Sequence, residues 1–125
     1  MADTLRPDQR LISNSNDQII SNNGQFKLVM QQDGNLVLYK GGSALWASGT
    51  DGLDVEFCVM QSDGNLVLYL EGSGRAVWAS GTNGNPGSFL VVQDDGNLVI
   101  YKPNSPIWAT STNGFTSALA LSSAK

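Results

Sequence analysis

Gln31-Gln32-Asp33-Gly34-Asn35-Leu36-Val37-Leu38-Tyr39 decides how this chain is read. Its pattern, Gln-x-Asp-Gly-Asn-Leu-Val-x-Tyr, returns at Gln61 to Tyr69 and at Gln93 to Tyr101 with no lapse at the fixed positions. The copies start 30 and 32 residues apart. A near-constant period of this length marks a repeat architecture, each copy being one supersecondary unit that buries its apolar face against its neighbours. An apolar run precedes each copy and reads as a strand: Phe26 to Met30, Phe57 to Met60 and Phe89 to Val92. The Asp-Gly pair that follows is a strong hairpin signal, because glycine supplies the positive φ of a tight turn. Leu36 to Tyr39, Leu66 to Tyr69 and Leu98 to Tyr101 read as the return strands. After a variable surface loop, a third short strand carries a tryptophan in Leu45-Trp46-Ala47-Ser48, Val77-Trp78-Ala79-Ser80 and Ile107-Trp108-Ala109-Thr110.

The ends extend the count. Leu11-Ile12 and Ile19-Ile20 read as two short strands before the first hairpin, and Asn22-Asn23-Gly24 as the turn into Phe26. At the other end, Phe115 to Leu121 alternates apolar and small residues and reads as a final strand. It has no evident partner in the last repeat, so pairing with a second copy of the chain, as a homodimer, is the expectation.

Composition narrows the function classes. The chain has 125 residues, enough for one domain with a modest core. Its 14 glycines fit many short strands and tight turns. With a net charge of −4 and only seven Lys and Arg, it has no basic face for nucleic acid. No apolar stretch reaches the roughly 20 residues that a membrane helix needs. There is no histidine and one cysteine, Cys58, so neither an internal disulfide, a metal site nor a cofactor is expected. Met1-Ala2-Asp3-Thr4-Leu5-Arg6 lacks the basic and apolar regions of a secretory leader, so the expected localisation is cytoplasmic, or release without a signal peptide.

The motif chemistry suits a neutral polyol. Sugar hydroxyls both donate and accept on a ring with apolar C–H faces. Gln and Asn offer donors and an acceptor, ionised Asp accepts only, and Tyr offers one of each. Gln31, Asp33, Asn35, Val37 and Tyr39 are all odd-numbered, so an extended chain projects them to one face. The turn at Asp33-Gly34 breaks strict alternation but draws Gln31 back beside Val37 and Tyr39. Asp-Gly-Asn is also good turn chemistry by itself, and Val and Tyr are good strand residues. Turn formation alone, however, does not require Gln two residues before Asp, or all five positions kept three times.

These motifs, with the Trp-Ala-Ser/Thr segments and the strands before them, resemble the monocot mannose-binding (bulb-type, snowdrop-like) lectins over roughly Leu11 to Thr112. The resemblance implies an all-β fold, the β-prism II: three four-stranded antiparallel sheets around a pseudo-threefold axis, in one domain spanning 1–125. It implies that Trp46, Trp78 and Trp108 fill the central core, and that residues 113–125 carry a C-terminal strand which many members exchange between subunits. It implies three mannose sites: Gln31, Asp33, Asn35, Val37 and Tyr39; Gln61, Asp63, Asn65, Val67 and Tyr69; Gln93, Asp95, Asn97, Val99 and Tyr101. Asp and Asn would take the axial O2, Gln would lie near O3, Tyr on O4 and Val against the ring carbons. Plant members often link the first turn to the strand before the second motif by a disulfide. Here Cys58 lies on that strand but Gly34 holds the turn, so the bond cannot form.

The implied function is a mannose-specific, glycan-crosslinking lectin or agglutinin acting in defence or recognition, with oligomannose as partner. The alternative is a lectin-like antibacterial or protein-directed module; such bacteriocins generally have two tandem domains, and this chain has room for one. An enzyme is not expected, because the motif carboxylates fall one per repeat in separate turns. Asp94 reads as solvated, and Cys58 as a small buried hydrophobe.

Overall fold

The computed structural model describes residues 2–103 and 105–113. Their twelve strands form three four-stranded antiparallel sheets. In the first repeat β4 (Phe26–Met30), β5 (Leu36–Lys40) and β6 (Ser43–Ala47) follow one another as a meander. β7 (Val55–Met60), β8 (Leu66–Leu70) and β9 (Ala76–Ala79) repeat it, as do β10 (Phe89–Val92), β11 (Leu98–Lys102) and β12 (Ser105–Ala109).

The first twenty residues supply the fourth strand of every sheet. β3 (Gln18–Ile20) pairs with β4, β2 (Arg10–Ile12) with β7, and β1 (Thr4–Leu5) with β10. Each offers one fully buried aliphatic side chain at the same place in the register. Ile19 lies opposite Leu28, Leu11 opposite Cys58 and Leu5 opposite Leu90. The strands at Leu11 and Ile19 were expected; β1 was not, and it carries the fold N-terminally past Leu11 as far as Thr4. Two residues show no periodicity, so the strand exists only because Leu5 completes the third sheet's inner row. The expected strand at Phe115 to Leu121 lies outside the described residues.

Strand pleating builds the core. Phe26, Leu28, Met30, Leu36 and Leu38 are completely buried, and the same inward positions of the other sheets carry Cys58, Met60, Leu66, Leu68, Leu90, Val92, Leu98 and Ile100. Burial of Cys58 raises its thiol pKa well out of the ordinary range, as befits a residue that packs and does not react. The three tryptophans meet edge to face, with ring centroids 5.5, 5.7 and 5.9 Å apart, an arrangement favoured by the aromatic quadrupole. Trp46 is buried, while Trp78 and Trp108 are half-buried and pack against the cluster.

The motif turn is clamped from outside. Gly34 has φ +93°, and a Cβ there would stand 2.1 Å from the Leu53 carbonyl oxygen; at Gly64 (φ +95°) it would stand 2.3 Å from that of Asn85. Only glycine lets the segment after the tryptophan strand lie against the turn. Gly24 also has positive φ, +75°, but open space around its Cβ position. We therefore expect Gly24→Ala to cost about 1 kcal/mol, the backbone penalty alone. Gly64→Ala should cost at least about 3 kcal/mol by urea unfolding, since backbone must also move. Equal losses would mean that the close approach does not constrain the turn.

Candidate carbohydrate site

The residues from Gln31 to Asn35 close the β4–β5 hairpin. The Gln31 N–H donates to the Asn35 carbonyl at 3.0 Å, and the Gly34 N–H to the Gln31 carbonyl at 3.1 Å. This brings Gln31 back over the outer face of β5, where its Nε2 donates to the Tyr39 hydroxyl. Gln61 does the same to Tyr69, and Gln93 to Tyr101. The five expected residues therefore converge in each repeat, and with the same exposure in all three. Asp is exposed, Gln, Asn and Tyr are half-buried, and Val37, Val67 and Val99 form the floor at 2–3% exposure.

Part of each polar group is committed inside the protein, and the uncommitted part defines the site. One carboxylate oxygen of Asp33 accepts the Asn35 N–H at 2.9 Å, with the same bond in the other copies, leaving the second oxygen toward solvent. Tyr39 accepts from Gln31, so its own proton is available to a ligand. The Asn35 side-chain oxygen faces inward and is taken by donors from the segment after β6, which leaves its NH2 group outward. Each site thus presents an acceptor from Asp, donors from Asn and Tyr, and the Gln side-chain oxygen. Turn formation accounts for half of this chemistry and leaves the other half unspent.

The donors that fix asparagine were missed in the sequence. Asn35 Oδ1 accepts from Gly49 N–H at 3.0 Å, Thr50 N–H at 3.2 Å and Ser48 Oγ at 3.2 Å. Thr50 Oγ1 gives its proton to the Gly34 carbonyl at 2.6 Å, and Ser48 Oγ, 2.7 Å from Thr50 Oγ1, accepts the Leu36 N–H at 3.0 Å. Ser80 and Thr82 repeat the network around Asn65, and Thr110 and Thr112 do so around Asn97. Among buried polar residues these threonines stand out, Thr112 being 1% exposed. Their signal was present: Trp-Ala-Ser/Thr continues two residues on to Thr50, Thr82 and Thr112.

Asp94, expected to be solvated, is exposed but engaged. Its carboxylate accepts the Asn23 N–H at 2.8 Å and its carbonyl the Asn23 side-chain amide at 3.2 Å, tying the first repeat's entry turn to the third motif. No cluster of three or more metal-ligating side chains occurs among the described residues.

Known proteins of similar structure include several lectins. The fold matches a lectin of Marasmius oreades at TM-score 0.81 and 33% identity, covering 90% of this chain and 93% of that one. It matches monomeric monocot mannose-binding lectins of Gastrodia elata at TM-score 0.78 and 40% identity, over 90% and 99% of the two chains. Snowdrop (Galanthus nivalis) mannose-specific agglutinin, in complex with methyl-α-D-mannoside, matches at TM-score 0.71 and 39% identity, over 88% and 96%. A stretch of 44 residues, 34% of this chain, is 50% identical to the B-type lectin plumieribetin of Scorpaena plumieri, and spans 38% of that protein. No protein-family profile matches the chain.

The hydroxyl network generates a direct test. Thr82→Val keeps the shape but leaves the buried Gly64 carbonyl without its 2.5 Å partner, and should cost about 1–3 kcal/mol. Thr82→Ser keeps the hydroxyl and should restore most of that stability in urea unfolding. In the valine variant the Asn65 side-chain amide resonances should also shift. Identical stability of the two variants would show the hydroxyl to be dispensable.

Proposed function

Since the chain belongs to the bulb-type mannose-binding lectin family, we infer that it binds mannose-containing glycans at three sites, one on the outer face of each sheet. The observation that carries this reading is the threefold recurrence of the same unspent groups above a valine floor. A hydroxyl lying between Asp33 and Asn35 can donate to the free carboxylate oxygen and accept from the amide NH2, so both of its needs are met. Tyr39 supplies a further donor and Gln31 a further acceptor for neighbouring hydroxyls. The Asp contact dominates, since a hydrogen bond to a charged group contributes about 1.5–3 kcal/mol against about 1 for a neutral pair.

A shallow site of this kind holds one sugar weakly. Useful affinity arises when several sites engage one multivalent glycan, so that later contacts form at high effective concentration. Crosslinking of branched oligomannose is the corresponding activity, and the protein works by binding, not catalysis. Homodimer formation through residues 113–125 would multiply the sites. Among the described residues, each of the three sheets already has four strands from within one chain.

Titration with methyl α-mannoside, with galactose as control, tests the reading through backbone amide NMR shifts. Saturable shifts at Asn35, Asn65 and Asn97 are expected with mannoside alone. Asp33→Asn should weaken the first site at least about 10-fold while leaving the other two, because only the charge-assisted bond is lost. No shift at any of the three at millimolar mannoside would refute the reading.

A further inference from the structure

We propose that the first of the three sites selects mannose carrying an acidic group, a phosphate or carboxylate, and that the third does not. The proposal rests on the lectin reading above and concerns what lies beside the tyrosine. Strand register sets Lys27 opposite Tyr39 in the first sheet, where the others set Phe57 opposite Tyr69 and Phe89 opposite Tyr101. The Lys27 ammonium lies 5.9 Å from the centroid of the Tyr39 ring. In the third site that volume is filled by the Phe89 ring, stacked on Tyr101 at 5.9 Å. In the second, Phe57 sits 5.7 Å from Tyr69 with Arg10 over its face at 4.2 Å.

The ground beyond Lys27 is shaped to receive more than one ring. A cavity of about 390 Å³ lies beside Gln31 and Tyr39 and is also lined by Lys27 and Gly41. The same two residues line a second cavity of about 790 Å³, bounded further out by Ile20, Gln25 and Lys40. The two cavities adjoin at Lys27 and Gly41, beside the sugar site. Among the described residues their walls hold two lysines and no carboxylate, in a chain where 11 acidic residues outnumber seven Lys and Arg. Neutral mannose makes no use of that charge. A phosphate or carboxylate on the sugar would meet the Lys27 ammonium at the edge of the site while Asp33, the nearest acid of the motif, holds hydroxyls at the hairpin turn. Exposed pairs of this kind are worth little individually, so a gain of about 3- to 10-fold at low ionic strength is the expected scale. It should fade with added salt as the Debye length contracts from about 10 Å at 0.1 M to about 3 Å at 1 M.

The test uses the full chain and reads each site separately through the Asn35 and Asn97 backbone amides. Methyl α-mannoside, mannose 6-phosphate, mannose 1-phosphate and inorganic phosphate are titrated in turn. At Asn35 at least one phosphorylated sugar should bind about 3- to 10-fold more tightly than the neutral mannoside, with no such gain at Asn97. Lys27→Phe should abolish the gain at Asn35 and leave neutral mannoside within about twofold. That variant should fold, since Phe57 and Phe89 hold the same position in the other sheets. Equal or weaker binding of both phosphorylated sugars at Asn35, or a gain that survives Lys27→Phe, would overturn the proposal. So would saturation by inorganic phosphate at the affinity of the phosphorylated sugars, which would mean an anion site indifferent to sugar. If neutral mannoside moves none of Asn35, Asn65 and Asn97, the lectin reading itself falls, and this proposal with it.

Discussion

Burial of alternate residues along β5, β8 and β11 is the constraint on which the rest of the molecule depends. Leu36 and Leu38, Leu66 and Leu68, Leu98 and Ile100 are drawn fully into the core, and this forces Val37, Tyr39 and their equivalents onto the outer face. A slip of one residue would turn every tyrosine inward and expose every leucine, so register is strongly specified. The core therefore sets which face carries the candidate binding groups. The fourth strands reinforce it, since Leu5, Leu11 and Ile19 close the inner rows, and the three edge-on tryptophans hold the sheets together.

Each candidate site is a compromise between structure and recognition. Asp33 spends one oxygen on the turn and Asn35 spends its carbonyl on the segment after β6, yet each keeps the half that a sugar would use. This division orients the free halves before any ligand arrives, and so lowers the entropy lost on binding. It also limits what the site can become. Exchanging Asn35 for Asp would retain the inward acceptor but replace the outward donor with a second acceptor beside Asp33. Three candidate sites on three separate sheets suit an extended or branched glycan better than one deep pocket would.

Most of this fold was legible because its signals are periodic. Alternation, Asp-Gly turns and the recurring tryptophan located nine strands of the three meanders to within about two residues, and Leu11 and Ile19 located two more. The missed strand at Thr4–Leu5 is too short to alternate and forms only in tertiary context. The fifteen candidate site residues stand out in the sequence because they share one motif, and the expected return of Gln31 to Tyr39 is seen in every copy. The Ser/Thr pairs that hold asparagine escaped notice for a physical reason: they act from the next loop, 12 to 18 residues away in sequence. Nor does the motif show that Lys27 replaces phenylalanine beside the first tyrosine, because that contact is made across strands.

The most direct measurement is a crystal structure of the chain grown with saturating methyl α-mannoside. A sugar is expected on the outer face of each sheet, with one hydroxyl placed between the free Asp oxygen and the Asn NH2 group in all three repeats. Sugar bound elsewhere, or three empty motif sites at saturating ligand, would contradict this expectation and return the Gln-x-Asp-Gly-Asn pattern to turn formation alone.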